Sequence, residues 1–437
     1  MNSTHQRINH KNHRINARAH RAPRDGWQLC EMADRAKCHP PTTAGSGKAS
    51  HGAIHAVRQT ATATAVTGVL ELHTDGHGFL RNQASGYRPS PSDVLVPATL
   101  VERFGLRPGV FARGLAEHSG DGESPWLCQL DEIEGVPADE YRQTPRFASL
   151  TPVHPRSRLR LETGREPLST RVIDLFVPVG KGQRGLIVAP PRSGKTMLLK
   201  EIGQAVTRNH PEVTLLMLLV DERPEEITEM RRQVAGEIVA SSLDQDVESH
   251  VRVSQLVVER CKRLAERGED VLLLIDSLTR MARAFNKSVH RSRRTLTGGL
   301  DIKALDVPKK LFASARAFEE GGSLTILGTA LVETGSRMDD LIFEEFKGTG
   351  NLELVLDRRL AERRIWPALD LVKSGTRRDE KLLDGTALEA VIHCRRTINP
   401  RDPAEAMRDL SARLNRHQSN REFIDWVNHQ KGRATDR

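Results

Sequence analysis

The sequence predicts an α/β protein in which a parallel sheet is preceded by a small β-barrel of the OB-fold type and by a disordered basic arm. Near-continuous apolar runs alternate with helical patterns after residue 166, and short β-type runs crowd residues 64–136. Positive charge is concentrated in residues 1–60. We expect the arm at residues 1–62, the barrel at 63–136 and a linker at 137–165. The sheet domain is expected at 166–415 and a helical tail at 416–437.

The first 60 residues have the composition of a disordered arm. They contain ten Lys and Arg against three Asp and Glu, so they carry +7 of the formal charge of +9. Seven of the 17 histidines also lie there, and periodic apolar residues are almost absent. Such a segment can bind polyanions through counterion release, or it can be a solvated tail, and the sequence favours neither.

The next segment is typical of a closed barrel. Short β-type runs separated by Gly, Pro, Asn and Asp lie at residues 69–72, 78–80, 93–96, 109–112 and 126–130. Five short strands within about 70 residues suit an OB-fold barrel. Residues 137–165 are rich in Pro and Arg and predict a linker.

From residue 166 onward, strand, loop and helix patterns alternate. The apolar runs are near-continuous, as is typical of parallel strands covered on both faces, and lie at residues 185–188, 213–220, 271–275, 324–327 and 352–356. Between them, apolar residues recur at helical spacing, for example at Met197, Leu199, Ile202 and Val206. A capping-box pattern of Ser419 and Glu422 precedes the last apolar helix pattern.

The composition indicates a cytoplasmic protein with no membrane partner. The 38% apolar and 28% charged residues lie in the globular range, and no apolar run approaches the roughly 20 residues of a membrane span. The basic N-terminus is not followed by the apolar stretch of a secretory signal. The five cysteines are scattered without C-x-x-C spacing, which is typical of reduced thiols.

Residues 189–196 have the pattern of a nucleotide phosphate loop between a buried strand and an amphipathic helix. Backbone amides there can hold phosphate oxygens, Lys195 can reach the β- and γ-phosphates, and the Thr196 hydroxyl can ligate Mg²⁺. The usual first glycine is Ala189, so the match to the general pattern is imperfect. A nucleoside triphosphate and Mg²⁺ are therefore the expected ligands of this loop.

Two acids follow neighbouring strand patterns. Asp276 ends the run at 271–275, where a Mg²⁺-organising acid of this class of ATPase lies. Glu222 follows the run at 213–220, where a carboxylate can deprotonate a water aimed at the γ-phosphate. Each could instead be a helix cap or a salt-bridged acid, but their occurrence with the phosphate loop at successive strand ends favours an active site.

Several longer motifs resemble the Rho family of bacterial transcription termination factors. The resemblance covers residues from about 66 to 410 in order and is carried by the segments 189–198 (APPRSGKTML), 221–230 (DERPEEITEM), 276–280 (DSLTR), 296–299 (LTGG), 344–351 (EEFKGTGN) and 374–377 (SGTR). It implies a homohexameric, RecA-like, RNA-dependent ATPase and helicase. Such a protein binds single-stranded RNA, translocates along it and terminates transcription by the RNA polymerase complex.

The resemblance also implies roles for individual residues. Glu222 would be the catalytic base, and Lys195 and Thr196 would bind phosphate and Mg²⁺, with Asp276 holding the metal's water shell. Arg377 and Arg364 would act in trans on the neighbouring subunit's nucleotide, and Arg223 would gate nucleotide release. Trp366 would stack on the adenine, and the remaining nucleotide contacts would come from Pro191, Arg192, Ser193, Gly194 and Met197.

The central RNA site implied by the resemblance lies in two loops. Residues 290–299 look like the family's pore loop, with Arg294 at a usual Lys and with Thr295 and Gly298 beside it. Residues 334–337 resemble the second pore loop, with Arg337 at another usual Lys, and Lys347 completes the set. A basic loop can also be ordinary solvated surface.

The departures from the family lie in the barrel. Its capture motif reads Gly-His-Gly-Phe-Leu-Arg at residues 76–81, so one stacking Phe is His77. A usual Tyr is Leu95, and another falls near Pro125, where Trp126 is adjacent. The remaining candidate contacts are Phe79, Arg81, Asp93, Glu123 and Trp126, each of which could also be ordinary barrel core or surface. A helical subdomain before the barrel is not recognisable, so electrostatic capture by the basic arm is the expected replacement.

Two other functions remain open. One is an RNA-binding ring or scaffold protein whose ATPase is poorly coupled to translocation. The other is a rotary-ATPase-type subunit with the same nucleotide fold, which the basic pore loop and the strand bearing Phe79 and Arg81 disfavour.

Overall fold

The computed structural model describes residues 63–118, 124–289, 299–398 and 402–435. The predicted arm at residues 1–62 lies outside these ranges. The barrel and the parallel sheet belong to one compact unit. No helix in the described ranges is long and apolar enough to cross a bilayer.

Short antiparallel strands form the N-terminal barrel. Its elements are β1 (Thr64–Leu72), β2 (Gly78–Arg81), β3 (Val94–Val96), α1 (Ala98–Phe104), β4 (Phe111–Glu117), β5 (Trp126–Ile133) and β6 (Val136–Pro137). The strand order is β3-β2-β1-β4-β5-β6, and a parallel pairing of Leu95 in β3 with Trp126 in β5 closes the barrel. This agrees with the predicted OB-fold architecture.

The C-terminal part contains a mainly parallel sheet between helices. Its strands are β7 (Pro152–Val153), β8 (Arg158–Leu159), β9 (Val179–Gly180), β10 (Arg184–Ala189), β11 (Val213–Glu222), β12 (Glu237–Ser242), β13 (Asp270–Asp276), β14 (Arg316–Phe318), β15 (Ser323–Leu331), β16 (Leu352–Val355) and β17 (Gly375–Thr376). The order of the main sheet is β12-β11-β13-β15-β10-β16-β17, parallel from β12 to β16.

Helices cover both faces of this sheet. They are α2 (Leu168–Phe176), α3 (Lys195–Asn209), α4 (Pro224–Gln233), α5 (Val247–Glu266), α6 (Leu278–Ser288), α7 (Asp306–Ala313), α8 (Arg337–Lys347), α9 (Arg358–Glu362), α10 (Gly385–Ile398), α11 (Pro403–Leu414) and α12 (Asn420–Thr435). Alternate residues of one strand enter different cores, since Ile187 packs with α3 residues while Leu186 packs with α5 residues. Burial on both faces explains the near-continuous apolar runs.

The predicted linker packs first on the barrel, at Ala138 and Tyr141, and then on the sheet domain, and the predicted tail packs on the sheet domain. Strand β7 pairs with β14 of the main sheet, and Phe147 and Leu150 join one of its cores. In the tail, Phe423, Ile424 and Val427 of α12 enter the opposite core. The capping pattern is present in part, because the Ser419 hydroxyl accepts a hydrogen bond from the Glu422 amide at 3.2 Å. Residues 137–165 are therefore an ordered connection, whose Pro and Arg content concealed its few buried apolar side chains.

The barrel is held against α5 and the edge strand β12. Arg252 of α5 donates to Glu71 of β1 at 3.0 Å, and the Tyr87 hydroxyl donates to Glu237 of β12. Gly109 has φ +82°, and a Cβ there would lie 2.5 Å from the backbone nitrogen of Arg260. The position therefore requires glycine both for its conformation and for the close approach of the two backbones.

Candidate functional site

The phosphate loop joins β10 to α3. The loop turns through Arg192 at φ 63° and Gly194 at φ 90°, and the Ser193 hydroxyl donates to the carbonyl of Pro190 at 2.7 Å. A Cβ at Gly194 would lie 2.7 Å from the Trp366 ring, so glycine is needed at this position. The turn places Lys195 and Thr196 in the first turn of α3, where free backbone amides favour bound phosphate.

Two buried acids meet Lys195 at the carboxyl edge of the sheet. Lys195 Nζ lies 2.6 Å from Asp276 Oδ1 and 3.9 Å from Glu222 Oε2. Asp276 is fixed by a hydrogen bond of 2.8 Å from the Thr329 hydroxyl. Arg280 Nη1 lies 2.9 Å from Glu222 Oε2. The structure thus brings together the three residues predicted from separate strand ends.

The surroundings of Glu222 favour its protonated form. Burial is the largest cause and raises the pKa of Glu222 from 4.5 to about 7, with a further rise from the charge of Asp276. The positive charges of Lys195 and Arg280 lower the same pKa. A carboxylate with a pKa near neutrality is matched to the task of accepting a proton from water.

This pKa gives an expected pH profile for ATP hydrolysis. Only deprotonated Glu222 can accept a proton, so kcat/KM for ATP should fall about tenfold per pH unit below the pKa of the free enzyme, near pH 7. Arg280→Gln removes a charge that lowers this pKa and should move the midpoint to higher pH. Steady-state kinetics between pH 5.5 and about 9 would measure both. A midpoint that is the same in Arg280→Gln and in the wild type would contradict this electrostatic assignment.

A cavity beside the phosphate loop suits a nucleobase. Its volume is about 550 Å³, and it is lined by residues that include Gly194, Met197, Leu356 and Trp366. Met197 and Trp366 are 51% and 46% exposed, which is unusual for large apolar side chains. An aromatic ring and a thioether next to the phosphate loop could hold a planar base by stacking.

The residues near Lys195 also fit a magnesium ion. Mg²⁺ retains several waters and is usually held by one or two protein oxygens together with substrate phosphates. Thr196 is partly exposed at the start of α3, directly after Lys195, and the Asp276 carboxylate that Lys195 contacts is 2% exposed. No cluster of three or more His, Cys, Asp or Glu suited to a metal occurs within the described ranges.

Arg377 lies near the amino end of β10, whereas Lys195 follows the carboxyl end of that strand. Its backbone amide donates to Asn351 at 2.9 Å, and the Asn351 amide donates to Arg184, the first residue of β10, at 2.9 Å. The phosphate loop follows the last residue of β10, and at about 3.3 Å per residue the strand separates the two ends by about 17 Å. Because of this separation, the exposed Arg377 is poorly placed to reach the phosphate loop of its own chain.

A strongly basic cavity surrounds Arg377. Its volume is about 570 Å³, and its lining includes Arg156, Arg184, Arg316, Arg377 and Arg378. None of the described residues that line it is acidic. The charge of Arg378 is the largest cause that lowers the pKa of His154 in the same cavity. The cavity is suited to an anionic group.

The other two predicted arginines are also exposed. Arg223 precedes α4, next to Glu222. Arg364 has φ 58° and lines a cavity with Trp366 and Arg408, rather than the basic cavity that contains Arg377.

The barrel residues predicted to contact RNA fall into two groups. Phe79 is half-buried and Trp126 is 37% exposed, so both rings are accessible. Arg81 and Asp93 are each only 6% exposed, and Arg81 Nη1 donates to Asp93 at 2.6 Å. This pairing leaves both side chains little free surface, and their contact with RNA stays a prediction. Arg81 also lies over the Phe79 ring, 4.9 Å from its centroid.

Of the predicted pore residues, Arg337 and Lys347 are exposed. Arg337 begins α8, which follows the carboxyl end of β15, and Lys347 ends the same helix. The remaining RNA candidates lie outside the described residues, and these are Glu123, Arg294, Thr295 and Gly298.

Two site residues were missed by sequence reasoning. Arg280 contacts Glu222 and donates to the carbonyl of Asp221, and Thr329 orients Asp276. Arg280 lies in the segment 276–280 that had already been singled out, in the first turn of α6 and four residues after Asp276. Thr329 lies near the carboxyl end of the apolar strand β15, between Gly328 and Ala330, and gave no such signal.

Family comparisons agree with this architecture. Residues 169–376 match the ATP synthase alpha/beta family nucleotide-binding domain, and residues 66–139 match the Rho termination factor RNA-binding domain. An ATPase from the type III secretion system of pathogenic bacteria has 20% identity and a TM-score of 0.54, covering 72% of this chain and 93% of that chain. That similarity shows the shared fold alone. Fold and site together define a RecA-like ATPase domain joined to an OB-fold RNA-binding domain.

Relatives over most of the chain identify the family. A transcription termination factor Rho of Aquifex aeolicus is 50% identical over 368 residues, which cover 83% of this chain and 84% of that protein. Those of Cereibacter sphaeroides and Haemophilus influenzae are each 47% identical, covering 83% and 82% of this chain and 86% of each relative. The chain belongs to the transcription termination factor Rho family, which excludes the rotary-ATPase alternative.

Proposed function

We propose that this protein is a cytoplasmic ATP-dependent RNA translocase and helicase that acts as a homohexamer and terminates transcription by RNA polymerase. The observation that carries the proposal is the joining of the two sites in one compact unit. The Lys195, Glu222 and Asp276 cluster lies at one edge of the sheet, and the accessible rings of Phe79 and Trp126 lie on a barrel attached to that sheet. Membership of the Rho family supports the same function.

The geometry supports a direct hydrolysis of ATP by water. A water on the γ-phosphate side of the loop would attack the phosphorus while Glu222 accepts its proton, and the bond to the ADP oxygen would break to release phosphate. Lys195 would leave Asp276 to contact the β- and γ-phosphates. Mg²⁺ held by Thr196 and, through water, by Asp276 would neutralise phosphate charge when bound.

The positions of the arginines support assembly into a ring. Since Arg377 lies beyond the reach of its own phosphate loop, we propose that it completes the site of a neighbouring subunit. The basic cavity around Arg377 would then face the phosphates bound by that neighbour.

Two RNA sites follow from the same arrangement. The barrel rings would capture a single strand, while Arg337 and Lys347 would contact its phosphates in the pore as ATP is hydrolysed. The arm at residues 1–62 would add electrostatic attraction through its charge of +7 within the first 60 residues.

The proposal predicts RNA-stimulated ATP hydrolysis that drives strand displacement. Wild-type protein assayed with homopolymeric RNAs should hydrolyse ATP faster with RNA than without it, and should displace a complementary strand. Lys195→Ala removes the phosphate contact and should lose both activities. Lys200 lies on the same helix, and its Nζ is 3.8 Å from Glu229 Oε1 rather than at the phosphate loop. The control variant Lys200→Ala should therefore retain both ATP hydrolysis and strand displacement.

Comparing ATP hydrolysis with strand displacement distinguishes the proposed helicase from the remaining alternative, a ring or scaffold protein. If RNA stimulates ATP hydrolysis but no strand is displaced at saturating RNA and ATP, the protein is a ring or scaffold with an uncoupled ATPase. Hydrolysis that is unaffected by every RNA would contradict the proposed function itself.

A further inference from the structure

Two amide side chains, Gln183 and Asn351, join the start of β10 to the segment that carries Arg377. Gln183 Nε2 donates to Asn351 Oδ1 at 2.7 Å and to the Asn351 carbonyl at 3.0 Å. The same carbonyl accepts the hydrogen bond of 2.9 Å from the Arg377 amide. We call Gln183 and Asn351 the amide pair.

The amide pair is fixed to the sheet at both of its members. Gln183 is 1% exposed, and its carbonyl accepts a hydrogen bond of 3.0 Å from the Ile326 amide of β15. Asn351 exchanges two hydrogen bonds with Arg184, because Oδ1 accepts from the Arg184 amide at 2.9 Å and the Asn351 amide donates to the Arg184 carbonyl at 2.9 Å. Breaking such a network leaves buried polar groups unpaired, so the amide pair holds one arrangement.

The direction of the Arg377 side chain depends on its backbone. The side chain is exposed and lines the basic cavity, in which none of the described lining residues is acidic. A guanidinium among other guanidiniums is repelled by them, so these neighbours do not hold it in one direction. Its backbone follows β17, where Thr376 pairs with Leu352 of β16, and is then held by the hydrogen bond to the Asn351 carbonyl.

The amide pair lies far from the phosphate loop of its own subunit. Gln183 directly precedes β10 and Asn351 directly precedes β16, whereas the phosphate loop follows the carboxyl end of β10. Both residues line the basic cavity together with Arg377. Their hydrogen bonds can therefore set where Arg377 points without changing how the same subunit holds its own nucleotide.

We propose that Gln183 and Asn351 are positioning residues that hold Arg377 in the direction from which it reaches the nucleotide of a neighbouring subunit. The inference rests on the proposed function, in which Arg377 acts in trans. Neither member of the amide pair would touch the nucleotide. A misplacement of about 1 Å at a reacting centre can lower a rate by about 10²-fold, so loosening the backbone of Arg377 should slow hydrolysis markedly.

Two single variants of the full-length protein test the amide pair. Asn351→Ala removes the accepting side chain, and Gln183→Met keeps a side chain of similar length without its donor. Each should lower kcat for RNA-stimulated ATP hydrolysis by about 10²-fold and leave KM for ATP near the wild-type value, since the phosphate loop is unchanged. Asn209→Ala is the matched control, because Asn209 Nδ2 donates to the carbonyls of Arg160 and Glu162 at 2.9 Å each, and it should retain the wild-type kcat.

A double variant tests whether the amide pair acts through Arg377. Asn351→Ala with Arg377→Ala should hydrolyse ATP as fast as Arg377→Ala alone, because positioning has no effect once the guanidinium is absent. Thermal unfolding identifies any variant that does not fold, and Gln183→Met keeps the test decisive if Asn351→Ala is such a variant. A wild-type kcat in the folded single variants, or a further large loss in the double variant, would overturn the inference.

Subunit mixing shows at which site the defect lies. Asn351→Ala mixed with an equal amount of Lys195→Ala should exceed the activity of either protein alone, because about one interface in four then joins an intact phosphate loop to a correctly held Arg377. Asn351→Ala mixed with Arg377→Ala should gain no activity, because no interface then has such an arginine. Recovery with Arg377→Ala but not with Lys195→Ala would place the defect at the phosphate loop of the same subunit and refute the positioning role.

A reference mixture separates this inference from the proposed function. If Arg377→Ala mixed with Lys195→Ala recovers activity and Asn351→Ala mixed with Lys195→Ala does not, only the role of the amide pair is wrong. If neither mixture recovers activity although mixed rings form, the action of Arg377 in trans is wrong and the inference is wrong with it.

Discussion

Arg377→Ala should reduce RNA-stimulated ATP hydrolysis by about 10³- to 10⁵-fold, the range for loss of an arginine that neutralises the transferring phosphoryl group. Nucleotide binding should change little, because Lys195 and the phosphate loop lie at the carboxyl end of β10, away from Arg377 of the same subunit. Turnover at saturating RNA and ATP measures the first effect, and fluorescent nucleotide titration measures the second. Arg156→Ala is the matched control, since it removes a different guanidinium from the same cavity and should have a much smaller effect.

Mixing two inactive variants tests whether Arg377 acts in trans. Lys195→Ala and Arg377→Ala proteins are combined in equal amounts and allowed to exchange subunits. Random assembly gives about one intact interface in four, each with Lys195 from one subunit and Arg377 from the next, so partial ATPase activity should return. A sizing measurement shows whether mixed rings form. Mixed rings without any activity, or a stable monomer that hydrolyses ATP at the wild-type rate, would rule out this role.

Glu222→Gln should lower ATP turnover by about 10²- to 10⁴-fold, the usual contribution of a general base. The amide keeps the shape of the side chain but cannot accept a proton from water, so ATP should still bind. Single-turnover hydrolysis together with nucleotide binding separates the two effects. Glu225→Gln, exposed in the first turn of α4, should remain active. Hydrolysis by Glu222→Gln at the wild-type rate would assign the base to another residue.

The parallel sheet was predictable because the same pattern, an apolar strand followed by a polar residue, recurs along the chain. Strands buried on both faces need apolar residues at every position, and polar residues at their carboxyl ends therefore stand out, as Glu222 and Asp276 do. The meeting of these acids with Lys195 followed from parallel topology, since successive strands end at the same edge.

Other features were hidden because their residues lack a distinctive pattern. The edge strand β12 has the sequence Glu-Ile-Val-Ala-Ser-Ser at 237–242, too short and polar for an apolar run. It forms by pairing with β11, a long-range contact that local sequence does not encode. In the same way, the linker prediction for residues 137–165 missed β7, which exists only because β14 lies beside it.

The barrel shows that residue type alone does not reveal which side chains lie next to one another. Arg81 and Asp93 were each predicted to contact RNA, and the structure adds that they form a buried ion pair. His77 was interpreted as the loss of a stacking ring, but His73 lies against it and provides a second imidazole. The pairing depends on the turn at 73–77, which brings together residues four positions apart.

The proposed action of Arg377 on the nucleotide of a neighbouring subunit also limits how copies of this chain can associate. A contact that joins one edge of a subunit to the other edge of the next is heterologous, so it cannot satisfy itself in a two-fold dimer. Each added subunit leaves one phosphate loop and one Arg377 without a partner at the two ends of the assembly, until the last subunit contacts the first and the ring closes. The rotation at each contact then sets the subunit number, and a rotation of about 60° closes at six. A mutation that changed this rotation to an angle that does not close would give an open helix instead of a ring.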